Sequence, residues 1–69
     1  MRRWKGHMGG QRYCGNIESR EIHDLDHEKP VCQINEIITA CHDRPFESLT
    51  QAHLEGFDDC LWCIGVLVR

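Results

Sequence analysis

The sequence lacks any apolar run approaching the roughly 20 residues that cross a bilayer. Its most apolar tail, Ile64-Gly65-Val66-Leu67-Val68, is far shorter, and no membrane anchor is expected. A secretory pattern is missing too: Arg2, Arg3 and Lys5 lead into Gly6-His7-Met8-Gly9-Gly10, where a leader carries an apolar stretch of roughly 7 to 15 residues. The cytoplasm is the default compartment. No segment repeats or is low in complexity, and the first twelve residues contain no carboxylate at all. There is also no even set of cysteines to close into disulfides, because five are present alongside five histidines. The odd count and the histidines favour a metal in a reduced compartment over a disulfide framework.

A chain of 69 residues is one domain, and at this size only about 60% of the surface exposed by the unfolded form is buried. Apolar packing alone leaves it marginal, so a staple is needed. The net charge of −3 hides a division along the chain. Residues 1–12 carry Arg2, Arg3, Lys5 and Arg12, whereas residues 13–69 hold all eleven carboxylates against Arg20, Lys29, Arg44 and Arg69. Such a body repels phosphate. The arm is expected to be a flexible, solubilising tail, with nucleic-acid contact as its functional alternative. Gly6-His7-Met8 also resembles the remnant of a common cloning site, on which reading Met8 is the natural start.

Tyr13-Cys14-Gly15-Asn16 reads as a strand turning at Gly-Asn, and Ile17 to His23 supplies a second strand, a hairpin-like pair. Asp24-Leu25-Asp26-His27-Glu28-Lys29-Pro30 is charged and proline-terminated, hence a loop. Ile34, Ile37, Ile38 and Cys41 then fall on one face of a helix predicted over 32–42. Pro45 ends any continuation, and Arg44-Pro45-Phe46-Glu47 is extended, with Phe46 turned to the core. Ser48-Leu49-Thr50-Gln51 is a capping box opening a second helix whose inner face is Leu49, Ala52 and His53. Gly56 closes that helix in the left-handed region, and Phe57 packs back on it.

Cys60-Leu61-Trp62-Cys63 carries the chemistry. Two thiolates at this spacing reach one tetrahedral metal ion and make half of a zinc site. A redox pair of the thioredoxin type would need a larger βαβ framework around it, and only six residues follow Cys63. The remaining donors must come from Cys14, Cys32 and Cys41 or from His7, His23, His27, His42 and His53. His23, at a strand end, and Cys32, at a helix start where the macrodipole lowers a thiol pKa, are the positions a fold can fix. His27 stays open as the rival of His23. Asp24 and Asp26 are natural partners for the far nitrogen of the ligating imidazole. Cys41 is expected in the core, Cys14 in the core or beside the site, His42 exposed, and His53 packed or partly exposed.

The residues Tyr13, Gly15-Asn16, Ser19, His23, Cys32, Phe46-Glu47-Ser48-Leu49, Ala52, Gly56-Phe57-Asp58, Cys60 and Cys63 resemble the Ada-type metal-binding domain. That is the zinc module at the N-terminus of the bacterial methyl-phosphotriester repair protein and an appendage on nucleases and other proteins. The resemblance spans 13–64 and implies a small mixed sheet packed by helices around zinc, with His23, Cys32, Cys60 and Cys63 as ligands. Two departures stand out. The gap between the first two ligands is longer than in the family, and His23 occupies the position of the cysteine that accepts the alkyl group.

Together these readings predict an α+β fold: a short mixed or antiparallel sheet, two helices and a C-terminal Cys-x-x-Cys zinc knuckle. Its parts are an arm (1–12), a zinc-binding domain (13–64) and a tail (65–69). The expected cofactor is one Zn2+ held by His23, Cys32, Cys60 and Cys63, in a monomeric, non-enzymatic module. Protein or nucleic acid is the expected kind of partner, the latter through the arm, and dimerisation through Val66-Leu67-Val68 would point to a protein. The alternative function is an Ada-like zinc-thiolate acceptor of alkyl groups from DNA.

Overall fold

The computed structural model describes residues 1–65; Val66, Leu67 and Val68, and with them the dimerisation expectation, lie outside the described residues. Four short strands and two short helices follow in the order β1 (Tyr13–Asn16), β2 (Glu21–Asp24), a 3-10 turn (Pro30–Cys32), α1 (Ile34–Thr39), β3 (Asp43–Phe46), α2 (Leu49–Leu54), β4 (Asp58–Asp59) and a π-type turn (Leu61–Gly65). The fold class is α+β, and the strands form one mixed sheet in the order β3-β1-β2-β4. β1 pairs antiparallel with β2 and β3, while β4 pairs parallel with β2. Among the described residues no helix is long and apolar enough to cross a membrane.

The β1–β2 hairpin turns where the sequence supplies turn chemistry. The Asn16 side-chain oxygen accepts from the amides of Glu18 and Ser19 at 2.9 and 3.4 Å, and Arg20 takes the left-handed conformation. Alternation along the paired strands then sends Gly15 and Ile22 to one face and Cys14 and His23 to the other. The first face is a small aromatic core. Phe46 and Phe57 meet edge to face at 5.2 Å between centroids, over Gly15. A Cβ at Gly15 would sit 2.8 Å from Phe57 and 3.0 Å from Phe46, so only glycine admits this approach.

Both helices end in the same way and with opposite consequences. In α2 the Ser48 hydroxyl accepts from the Gln51 amide at 3.2 Å, Gly56 adopts φ +90°, and the amides of Gly56 and Phe57 close onto the carbonyls of His53 and Ala52. This is a Schellman closure with glycine where it is favoured. Phe57 and Ala52 are both buried beneath it. His53, expected on the inner face, instead lies at the surface with its Nε2 2.6 Å from Asp59. In α1 the same pair of bonds runs from Cys41 to Ile38 and from His42 to Ile37, and the residue forced to positive φ is Cys41, at +62°. The predicted span 32–42 therefore contracts to 34–39. Cys41, expected in the core by its i+7 spacing from Ile34, is exposed because the helix has already ended and the left-handed residue points its side chain away.

Residues 1–12, read from the sequence as a flexible arm, lie docked on the body. Met8 is buried. Arg2 forks onto Asp26 at 3.1 and 3.0 Å, Arg3 onto Glu28, and Arg12 onto Asp24 at 3.1 and 2.9 Å. His7 places both its amide and Nδ1 on the buried carboxylate of Asp43, at 2.7 and 3.0 Å. The segregation of charge explains the docking: cations without internal acids find partners on an acid-rich body.

Candidate metal centre

Three separate pieces of backbone converge at one end of the sheet. His23 is the third residue of β2, Cys32 closes the 3-10 turn, and Cys60 and Cys63 flank the start of the π-type turn beyond β4. The parallel pairing of β4 with β2 sets the register. Glu21 faces Asp58 and Ile22 faces Asp59, and the Cys60 amide donates to the Ile22 carbonyl at 3.0 Å, which delivers Cys60 next to His23. The Ile64 amide then returns to the Cys60 carbonyl at 3.0 Å and curls Cys63 toward the same point.

The result is a cluster of four buried residues, His23, Cys32, Cys60 and Cys63, whose donor atoms all lie within 4.8 Å of one another and could hold a metal ion. The Cys32 and Cys60 sulfurs are 3.8 Å apart, and the Cys63 sulfur is 3.9 Å from His23 Nδ1. A tetrahedron built on Zn–S bonds of about 2.3 Å has sulfur–sulfur edges of about 3.8 Å. The cysteines are free thiols.

Between the two histidine candidates the strand pleat decides which is brought in. His23 is buried at the cluster, whereas His27 lies past the end of β2 with Nδ1 3.0 Å from Asp24. The carboxylates do not serve the imidazole as expected. Asp24 spends its side chain on Arg12, His27 and the Asp26 amide, and Asp26 spends its own on Arg2. What Asp24 gives the cluster is its backbone amide, which donates to the Cys63 sulfur at 3.3 Å. This contact left no signal in the sequence, since any residue type supplies a backbone N–H. Cys14, opposite His23 in register, is a fully buried core thiol outside the cluster. Burial pushes it up to about 12, with the Asp43 charge adding to the effect.

The electrostatics show what the cluster needs. Burial raises the Cys32 thiol pKa, opposed by a hydrogen bond from the backbone at Lys29 and reinforced by Cys60. The expected helix N-terminus is absent there, because Cys32 ends its own 3-10 turn and the left-handed Gln33 separates it from α1. Burial likewise drives the Cys63 thiol well above the ordinary range, against the pull of the Asp24 amide, with Cys60 and Cys32 raising it further. Burial lowers the His23 pKa, against the pull of Glu21 and Glu28, and so favours the neutral imidazole. A neutral imidazole is ready to ligate, while the thiols become thiolates only when a cation replaces their protons.

No protein-family model, curated protein or solved structure matches the chain. The class it can be assigned rests on its own architecture: a small α+β domain with a buried His/Cys3 cluster able to hold a metal ion.

Proposed function

We propose that His23, Cys32, Cys60 and Cys63 bind one Zn2+ and that the ion is structural, in a non-enzymatic module serving contact with protein or nucleic acid. The observation that carries this reading is the convergence of four buried donors from distant parts of the chain within 4.8 Å. Three sulfurs and one imidazole suit zinc among the common divalent ions. Four protein ligands fill the tetrahedron and leave no position for a reactive water. In small domains of this kind metal binding contributes on the order of 10 to 16 kcal/mol of apparent folding free energy, as much as or more than the roughly 5 to 15 kcal/mol by which domains are stable at all.

The alkyl-acceptor activity that comes with the Ada-type resemblance fits less well. It requires a zinc-bound thiolate that a DNA phosphotriester can reach. Cys32, Cys60 and Cys63 are 5%, 2% and 3% exposed, and the resemblance itself puts an imidazole, His23, where the acceptor cysteine would stand. The deciding experiment is metal content by mass spectrometry on the purified chain, with circular dichroism before and after chelation. One zinc per chain and collapse of the far-ultraviolet signal on chelation are expected. A chain that keeps its spectrum without metal would overturn the structural role. Incubation with methylated DNA should leave the intact mass unchanged, and a stoichiometric methyl adduct would restore the acceptor reading.

A further inference from the structure

The arm carries a motif that the metal centre does not use. Arg2-Arg3-Trp4-Lys5 alternates cations with an aromatic and contains no acid. Trp4 is 73% exposed, with its ring edge resting on Gly10, where a Cβ would come within 2.7 Å of the indole nitrogen. The two guanidiniums are held in forks by Asp26 and Glu28, on the loop between His23 and Cys32, and Arg3 also donates to Asn35 at 3.1 Å. A guanidinium grips a phosphate in the same forked geometry as it grips a carboxylate.

We infer that Arg2, Arg3, Trp4 and Lys5 form a binding segment for single-stranded nucleic acid, and that Asp26 and Glu28 hold it in check by occupying the guanidiniums that would take phosphates. The inference rests on the nucleic-acid side of the contact role proposed above, and it does not depend on whether zinc or another ion occupies the cluster. The indole supplies the stacking surface for one base, which an unpaired strand offers and a duplex does not. The acidic body, which repels phosphate elsewhere, makes this segment the place where a nucleic-acid strand is attracted. The Arg2–Asp26 pair is exposed, and such carboxylate–guanidinium pairs contribute little net stability and weaken with salt, so phosphates displace it first. Arg3 and Glu28 are 11% and 20% exposed, and their fork opens only as the segment lifts with the incoming strand.

The test uses the full chain with Trp62→Phe, so that Trp4 is the sole indole, and with metal content measured in every sample. Titration with a labelled oligothymidine of about twelve nucleotides, within the usual site size for such segments, should quench Trp4. The plot of log K against log salt should slope about −2, as for three phosphate contacts on a single strand. Removing the internal anions with Asp26→Asn and Glu28→Gln should tighten binding roughly three- to tenfold. The charge-matched pair Glu18→Gln with Asp58→Asn, placed away from the arm, should stay within about twofold of the parent, the scatter of exposed charges. Trp4→Ala should weaken binding about fivefold or more, and a chain beginning at Met8 should lose it.

Three results would overturn the inference: the Asp26/Glu28 variant binding no more tightly than its charge-matched control, Trp4 remaining unquenched, or phosphatidylserine vesicles competing as well as the oligonucleotide. Should the variant lose metal, the side-chain Nε resonances of Arg2 and Arg3 in the parent chain decide instead. They should shift on adding oligonucleotide at constant metal content, and unmoved resonances refute it.

Discussion

The two faces of the β1–β2 hairpin are held by different means. On one, Gly15 and Ile22 close onto Phe46 and Phe57 in apolar contact that is complete with the side chains present. On the other, His23 meets three buried sulfurs, with burial raising the Cys32 and Cys63 thiols, in a cluster that could hold a metal ion and on the proposed reading gains its strength from one. The first face loses stability gradually as atoms are removed or added. The second should fail together, because each donor is useful only while the other three are in place.

The sharpest way to break that contrast is Cys63→Ser, expected to lose the metal and with it most of the folded signal by circular dichroism and thermal melting. A cooperative melt retained at the parent temperature would mean the apolar face suffices. Next in size is Gly15→Val, which forces a branched side chain into the 2.8 Å gap beneath Phe57. Overpacking of this kind costs about 1–3 kcal/mol, and metal stoichiometry should stay at one. Loss of metal in that variant would show the two faces to be one unit.

Acid sharpens the comparison from another direction. Metal binding displaces protons from thiols whose pKa values are raised, so metal affinity should fall as pH falls, by up to about one decade per pH unit for each thiol proton released. Asp24 behaves differently. Burial raises its pKa, but hydrogen bonds from Arg12, His27 and the Asp26 backbone outweigh burial and leave it below its ordinary 3.8. A depressed carboxyl contributes stability that is fully present above its unfolded pKa and is lost as pH falls through the folded one. Metal release followed by zinc-dye absorbance should therefore precede the loss of the Arg12–Asp24 clamp, and simultaneous loss would contradict the separation. The smallest effect belongs to Cys41→Gly. It relieves a left-handed non-glycine residue and should change stability by about 1 kcal/mol or less, in the stabilising direction, with the metal untouched.

Much of this was legible in the sequence, for reasons that particular residues make plain. Asn16, Ser48 and Gly56 carry local turn and cap chemistry that acts over a few residues, and the structure uses each where the sequence places it. Cys60 and Cys63 were readable by spacing. His23 over His27 was not, because the choice depends on β4 pairing with β2 across more than thirty residues of chain, through strands as short as Asp58–Asp59. Cys41 misled for a related reason: helical spacing says which face a residue occupies only while the helix lasts, and α1 ends at Thr39. The docking of Arg2, Arg3 and Arg12 runs against the flexible tail expected from the sequence: the lopsided charge shows the cations, but the carboxylates that receive them are set by the path of the loop after β2.

The outward turn of Cys41 has a practical consequence. Among the described residues it is the one exposed thiol, while Cys14, Cys32, Cys60 and Cys63 are shielded. A maleimide reagent added to the native domain should therefore stop after a single adduct. The number of further adducts that form as the ion is withdrawn would count, chain by chain, how far the interior has opened.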